Sequence, residues 1–262
     1  MAGFIPSLLK LLKGKPQIPA SLQDNQLLQI ILKRRSVRSF KANPIPEDVF
    51  QAILEAGRLA PSTVNLQSWS FGIFTAAEWR ETFSKPIPFL AARAVIILGD
   101  THRDRMVLDT FPEAPLVEYS LAVMNASLAA MNMNIAAEAL GVSSVMLSET
   151  GRSGILDAAY LKEKLNLPER VFPLMTIVFG YAKTMPAAMP PKLPLEVVSF
   201  TGKYPETEIR VMRDWLDQTK AGYKAMRPLS SFEEQLDVYQ DKIFQAEENL
   251  NRLVFGEKKE AE

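Results

Sequence analysis

The chain has 262 residues, 47% apolar and 23% charged, enough to bury a sizeable core in one large domain with appendages. Lysine plus arginine and aspartate plus glutamate each count 30, so nucleic acid is excluded as the main partner, because phosphate binding wants a basic excess. No cysteine and a single histidine, His102, exclude disulfides, thiolate metal sites, thiol nucleophiles and multi-histidine centres. An enzyme this poor in protein nucleophiles would need a cofactor to supply the reactivity.

In chain order, Met1 to Lys15 carries Phe4, Ile5, Leu8, Leu9, Leu11 and Leu12 among lysines. It lacks the order of a signal peptide and is too short to span a bilayer. An amphipathic helix docked on its own protein or on a partner is the expectation, with a membrane-surface helix as the alternative. Leu22 to Lys33 reads as a helix ending in Lys33-Arg34-Arg35, and Ser36 to Pro46 as irregular. Glu47 to Leu59 is a helix, its first turn preset by Pro46 and its apolar face made by Val49, Phe50, Ile53 and Leu54. Trp69 to Thr75 alternates as a strand, Ala76 to Phe83 is a short helix, and Ala94 to Leu98 is a buried strand. His102, beside Arg103 and Arg105, reads as a surface-loop residue rather than a catalyst.

Pro115 to Leu140 is the longest helical pattern, apolar almost all round and stopped by Gly141. Asn125, Asn132, Asn134 and Glu138 interrupt it too often for a transmembrane span. Val142 to Leu147 is a strand, Ser153 to Leu165 a helix, Phe172 to Tyr181 a strand. A proline-rich connector leads to Leu195 to Phe200, read as a short terminal strand. Two charged amphipathic helices, about Glu206 to Met226 and Ser231 to Val254, close the chain. Strands and helices do not alternate strictly, so the expected class is α+β. The expected division is an arm over 1–21, a core domain over 22–200 and a helical extension over 201–262.

No GxGxxG follows a strand, and Gly14-Lys15-Pro16 lacks the rest of a phosphate-binding loop. Arg34-Arg35-Ser36-Val37-Arg38-Ser39 places three guanidinium groups and two hydroxyls at a helix–loop junction. They could encircle a phosphate through charge-assisted hydrogen bonds. Taken alone, the same run also reads as a solvated helix end complementing the dipole. Pro61-Ser62-Thr63-Val64-Asn65-Leu66-Gln67-Ser68-Trp69 puts hydroxyls and amides in a turn before an aromatic strand. Such groups can meet the polar edge of a planar heterocycle. Alone, this is equally an ordinary polar loop.

Together, about twenty-five residues apart in the chain and separated by one amphipathic helix, the two runs resemble the N-terminal signature of the nitroreductase family. Ala139-Leu140-Gly141-Val142 resembles the end of that family's central helix. Phe172 to Gly180-Tyr181 is similar to its late strand, and Lys192-Leu193-Pro194-Leu195-Glu196-Val197-Val198 to its exit segment. The resemblance covers roughly Leu27 to Phe200 in the correct order.

It implies an α/β/α sandwich with a mainly antiparallel central sheet, strand exchange between subunits, and extra C-terminal helices. It also implies FMN at a homodimer interface and NAD(P)H as co-substrate, in a cytoplasmic enzyme that reduces a small electron-poor acceptor by a ping-pong mechanism. Carried over by position, Arg34, Arg35, Ser36 and Arg38 bind the phosphate and ribityl chain, and Lys192 completes the phosphate site. Pro61, Ser62, Thr63, Asn65 and Gln67 approach from the partner subunit. Leu147, Ser148 and Glu149 lie along the isoalloxazine, with the backbone N–H of Ser148 or Glu149 near N5 and no catalytic side chain. Three departures stand out: Ser68 replaces the family's proline, Pro190 replaces a frequent second basic residue, and the stretch from Trp69 to Ala94 is short. The first two bear on cofactor affinity; the short stretch and the extra C-terminal helices leave room for other flavin chemistry on the same fold (dehalogenation, azoline oxidation, flavin fragmentation), and a scaffold whose flavin site has decayed is the further alternative.

Overall fold

Side chains alternate along the long strands, and both faces they reach are apolar, which dictates a sheet covered by helices on both sides. The computed structural model describes residues 4–13, 18–108, 111–147, 158–186 and 189–256. It divides into two units, one of Asn25–Met185 with Asp241–Glu262 and the other of Met1–Asp24 with Pro186–Gln240.

The larger unit holds a four-stranded antiparallel sheet in the order β1-β2-β4-β3, with β1 Trp69–Thr75, β2 Arg93–Asp100, β3 Ser143–Leu147 and β4 Val171–Gly180. In β2, Val95 and Ile97 face one core while Ala94, Ile96 and Leu98 face the other. The pairing of β2 with β4 shifts between Ile97 and Leu98. The extra residue lets Phe172 and Leu174 share a face with Ile177 and Phe179, and Pro173, with no N–H to give the ladder, sits at this irregularity.

The first core is closed by α3 (Glu47–Arg58), through Phe50 and Ile53, and by α6 (Pro115–Ala139), through Ala122, Ala126, Ala129, Ala130, Met133 and Ala137. The second is closed by α4 (Ala76–Phe83), through Trp79 and Phe83, and by α7 (Ala158–Lys164), through Leu161. Each large side chain buried this way contributes about 2 kcal/mol relative to exposure. The alanines of α6 let the helix lie close to the sheet. Leu116, Val117, Met124, Leu128 and Met131 of the same helix stay exposed.

Helix starts follow local chemistry. Asn25 accepts from the Leu28 N–H at 3.1 Å, so α2 spans Gln26–Lys33 rather than starting at Leu22; Ala20–Leu22 forms a separate 3-10 turn. Thr75 and Glu78 form a reciprocal capping box at α4, which is why β1 ends and α4 begins where the sequence predicts. His102 opens a one-turn helix, α5 (His102–Arg105), and is half-buried rather than in a loop.

In the smaller unit, α1 (Phe4–Lys13) packs on α9 (Ile209–Met226), and Lys10 pairs with Asp214 at 2.6 Å. Leu195 to Phe200, expected as a strand, is instead the single turn α8 (Leu195–Val198) followed by extended Ser199. Pro194 presets that turn with φ −56°, the Ser199 hydroxyl donates to the Leu195 carbonyl at 2.6 Å, and no strand among this unit's described residues could pair with it. Last in the chain is α10 (Phe232–Phe255). Among the described residues, no helix is long and apolar enough to cross a membrane.

Candidate functional site

The arginine run starts where α2 stops. Arg34 caps the helix, its N–H bonded to the Ile30 carbonyl at 2.9 Å. Arg35 turns Nη1 back onto the carbonyls of Leu32 (2.6 Å) and Arg34 (2.9 Å), so part of its guanidinium holds the helix end. From Ser36 the chain runs beside the sheet. Ser36 bridges Ser144 of β3, the Val37 N–H donates to the Ser144 carbonyl at 3.1 Å, and the Lys41 N–H donates to the Tyr181 carbonyl at 2.8 Å.

Val37 and Phe40 are buried while Arg38 between them is exposed. Arg38 thus stands out from the surface. A Cβ at Gly180 would lie 2.8 Å from the Phe40 ring, so the close approach of this segment to β4 requires glycine there. Glu138, near the end of α6, faces the run. Burial pushes its carboxyl above the usual range, against the downward pull of Arg34 and Arg35. Arg34 and Arg38 make no ion pair with a carboxylate among the described residues. Leu147, at the far end of β3, lies three residues from Ser144, or about 10 Å along the strand. Ser148 and Glu149 fall outside the described residues.

The second cluster forms the entry to β1. Val64, Asn65 and Gln67 all have positive φ (49°, 59° and 52°), unusual for residues with side chains and most of all for a β-branched valine. The turn is held from within. The Gln67 N–H donates to the Ser62 hydroxyl at 3.0 Å, the Asn65 N–H to the Ser62 carbonyl at 3.2 Å, and the Trp69 N–H to the Gln67 carbonyl at 2.7 Å. Thr63 points its hydroxyl inward to Asn125 of α6, while exposed Asn65 and half-buried Gln67 touch through their amides at 3.4 Å. Pro61 is exposed at the turn's start.

Ser68, fully buried, donates through Oγ to Asp104 of α5 at 3.3 Å. Burial, the largest influence, pushes the Asp104 carboxyl up, although Ser68 and Arg103 pull it down. Beside it, Asp100 accepts from Ser70 and pairs with Arg103 at 3.1 Å, leaving one buried oxygen without a partner among the described residues. Sequence reasoning missed Asn125, Asp100 and Asp104. The available signal was Asn125 as one of several polar residues inside a largely apolar helix.

One chain does not bring the two clusters together. The turn precedes β1 at one edge of the sheet, and the arginine run lies along β3 at the other. Trp69 is level with Phe172 through β2, whereas Ser144 pairs with Phe179 at the opposite end of β4. At about 4.8 Å per strand and 3.4 Å per residue, the clusters are more than roughly 20 Å apart. Lys192 belongs to the smaller unit, where it is exposed between Pro191, whose carbonyl accepts from the Trp215 indole at 3.3 Å, and α8. Among the described residues, no group of acidic residues and histidine could hold a metal.

The chemistry of the donor set fits a flavin mononucleotide in two halves. Guanidinium groups and hydroxyls at Arg34, Ser36 and Arg38 suit a phosphate, and the amides of Asn65 and Gln67 suit a heterocycle's polar edge.

Comparison with known proteins identifies the family. The profile of the Nitroreductase family matches residues 31–88 and 87–181. A Staphylococcus aureus protein named NADPH-dependent oxidoreductase is 31% identical over 217 residues, 76% of this chain and 82% of its own. One from Vibrio harveyi, named NADPH-flavin oxidoreductase, is 29% identical over 78% of this chain and 84% of its own. The crystal structure of nitroreductase A from Vibrio parahaemolyticus superposes with a TM-score of 0.68 at 24% identity, covering 81% of this chain and 89% of that one, and shares the fold. Because the matched segments hold all four strands and both polar clusters, the chain belongs to the nitroreductase family.

Proposed function

We propose that the protein is an FMN-dependent oxidoreductase that works as a homodimer, with each cofactor held by the arginine run of one chain and the 61–67 turn of the other. The observation that carries this reading is the placement of the two halves of the donor set at opposite corners of one sheet. A single planar cofactor can meet both only when two copies combine. The exposed apolar row Val117, Met124, Leu128 and Met131 on α6 supports such a pairing, and strand exchange between subunits belongs to the same reading.

Bound FMN would supply the redox chemistry, taking hydride from NAD(P)H at N5 and passing it to an electron-poor acceptor, such as a nitroaromatic or quinone, in a ping-pong cycle. The relatives' names support the nicotinamide donor. In this reading the chain's own residues bind and orient. Arg34, Arg35, Ser36 and Arg38 neutralise the phosphate with Lys192, and the turn's amides fix the ring's polar edge. The family resemblance would set Leu147, Ser148 and Glu149 beside the ring, Ser148 and Glu149 lying outside the described residues. Residues 22–200 form the FMN-binding part, flanked by an arm over 1–21 and a helical extension over 201–262, and the enzyme works in the cytoplasm, where NAD(P)H is available.

The test is the purified protein itself. It should be yellow, release FMN on denaturation and bleach on anaerobic addition of NADPH or NADH. A colourless protein that takes up no added FMN contradicts the reading.

A further inference from the structure

Asn125 lies on α6 among Ala122, Ala126 and Ala129, a helix face otherwise given to close apolar packing, and only 1% of its surface is exposed. A buried carboxamide is tolerated when both of its ends are bonded, and here they are. Its oxygen accepts from the Thr63 N–H at 3.1 Å and from the Thr63 hydroxyl at 3.2 Å. Its nitrogen donates to the Ser68 Oγ at 3.5 Å, the long end of a hydrogen bond, and that hydroxyl in turn donates to Asp104.

The amide therefore grips the turn at both ends, at Thr63 and at Ser68. Between the two grips stand Val64, Asn65 and Gln67 with positive φ, a conformation that valine and glutamine in particular adopt only where the surroundings impose it. A proline at position 68 could neither accept from Asn125 nor donate to Asp104, so this wiring follows from the serine.

We propose that Asn125 is a positioning residue that, gripping Thr63 and steadied by Ser68, locks the 62–68 turn in the shape that presents Asn65 and Gln67 to a bound flavin. The proposal rests on the flavin reading above, and the experiment separates the two. Amide hydrogen exchange of residues 63–67 is measured on flavin-free protein, and FMN affinity by fluorescence titration, for the parent, Asn125→Ala, Ser68→Ala, Thr63→Val and the Asn125→Ala/Thr63→Val double variant.

With the grip lost, Asn125→Ala should exchange at 63–67 about 10-fold faster or more and bind FMN about 10-fold more weakly. Ser68→Ala should move both in the same direction by about 3-fold, and it carries the test if Asn125→Ala does not fold. The double variant should be little worse than Asn125→Ala, because both changes remove one interaction. Parent-like exchange at 63–67 in the folded variants overturns the inference. So does a lowered melting temperature with unchanged FMN affinity, the pattern of a merely structural residue. Faster exchange in a protein whose parent binds no FMN sinks the flavin reading and with it the presenting role, while leaving the grip on Thr63 established.

Discussion

Arg34 and Arg35 are neighbours in sequence and unequal in what they can offer a ligand. Arg35 holds its own helix end through Nη1, whereas Arg34 and outward-facing Arg38 meet no carboxylate partner among the described residues. Arg34→Ala and Arg38→Ala should each weaken FMN binding by roughly 10-fold or more, since a hydrogen bond to a charged group contributes about 1.5–3 kcal/mol. Glu138 makes no ion pair with Arg34 or Arg35 among the described residues, but its charge acts on both and would oppose a phosphate held there. Glu138→Gln should therefore tighten FMN binding by a few-fold in the same titration, and a loss of affinity would argue that Glu138 orients the arginines instead.

Asp104 gives a prediction in pH. Its carboxyl is pushed up by burial, so it holds its proton more tightly folded than unfolded. Such a group lowers stability as pH rises between its unfolded and folded pKa values, and the loss persists above them. Asp104→Asn keeps an acceptor for Ser68 and removes the titration. Its melting temperature should gain on the parent's as pH rises above the ordinary carboxylate range; parallel curves would contradict the assignment. These residues were only partly legible in the sequence. The arginines announce themselves by charge, but Asn125 reads as one of several polar interruptions of an apolar helix, and only tertiary contact shows what it holds.

At the scale of elements, local chemistry made most boundaries readable. Pro46 with Glu47 opens α3, the Thr75–Glu78 box opens α4, and Gly141 follows α6. Leu195 to Phe200 misled because apolar, β-branched composition signals a strand only where a neighbour can complete the ladder. The edge role of the Ser36–Lys41 segment was also hidden, because one bridge here and one there leave no periodic pattern. Gly180 tests that role. Gly180→Ala should cost about 1–3 kcal/mol in urea unfolding through its clash with Phe40, and an unchanged midpoint would mean that the segment is loosely held. On α6, Leu128→Glu puts a charge in the exposed apolar row. It should convert a dimer to monomers in sedimentation, and a dimer of parent stability would place the interface elsewhere.

At the scale of the whole molecule, the resemblance in sequence implied that the two polar runs serve one cofactor, and the sheet order shows that a single chain keeps them apart. Sequence order gives no distance between edges, since β4 enters between β2 and β3 and moves β3 to the far side. The most direct test is complementation between two defective chains. One carries Arg34→Ala with Arg38→Ala, the other Asn65→Ala with Gln67→Ala; each alone should retain little FMN. Unfolded together in equal amounts and refolded, they form mixed dimers in which one of the two sites draws both halves from unmutated segments. Bound FMN and NADPH-driven bleaching should return to about a quarter of the parent's value, half the dimers being mixed and each having one sound site. Mixed dimers that form and still bind no FMN would show that both halves act within one chain, contradicting the shared site.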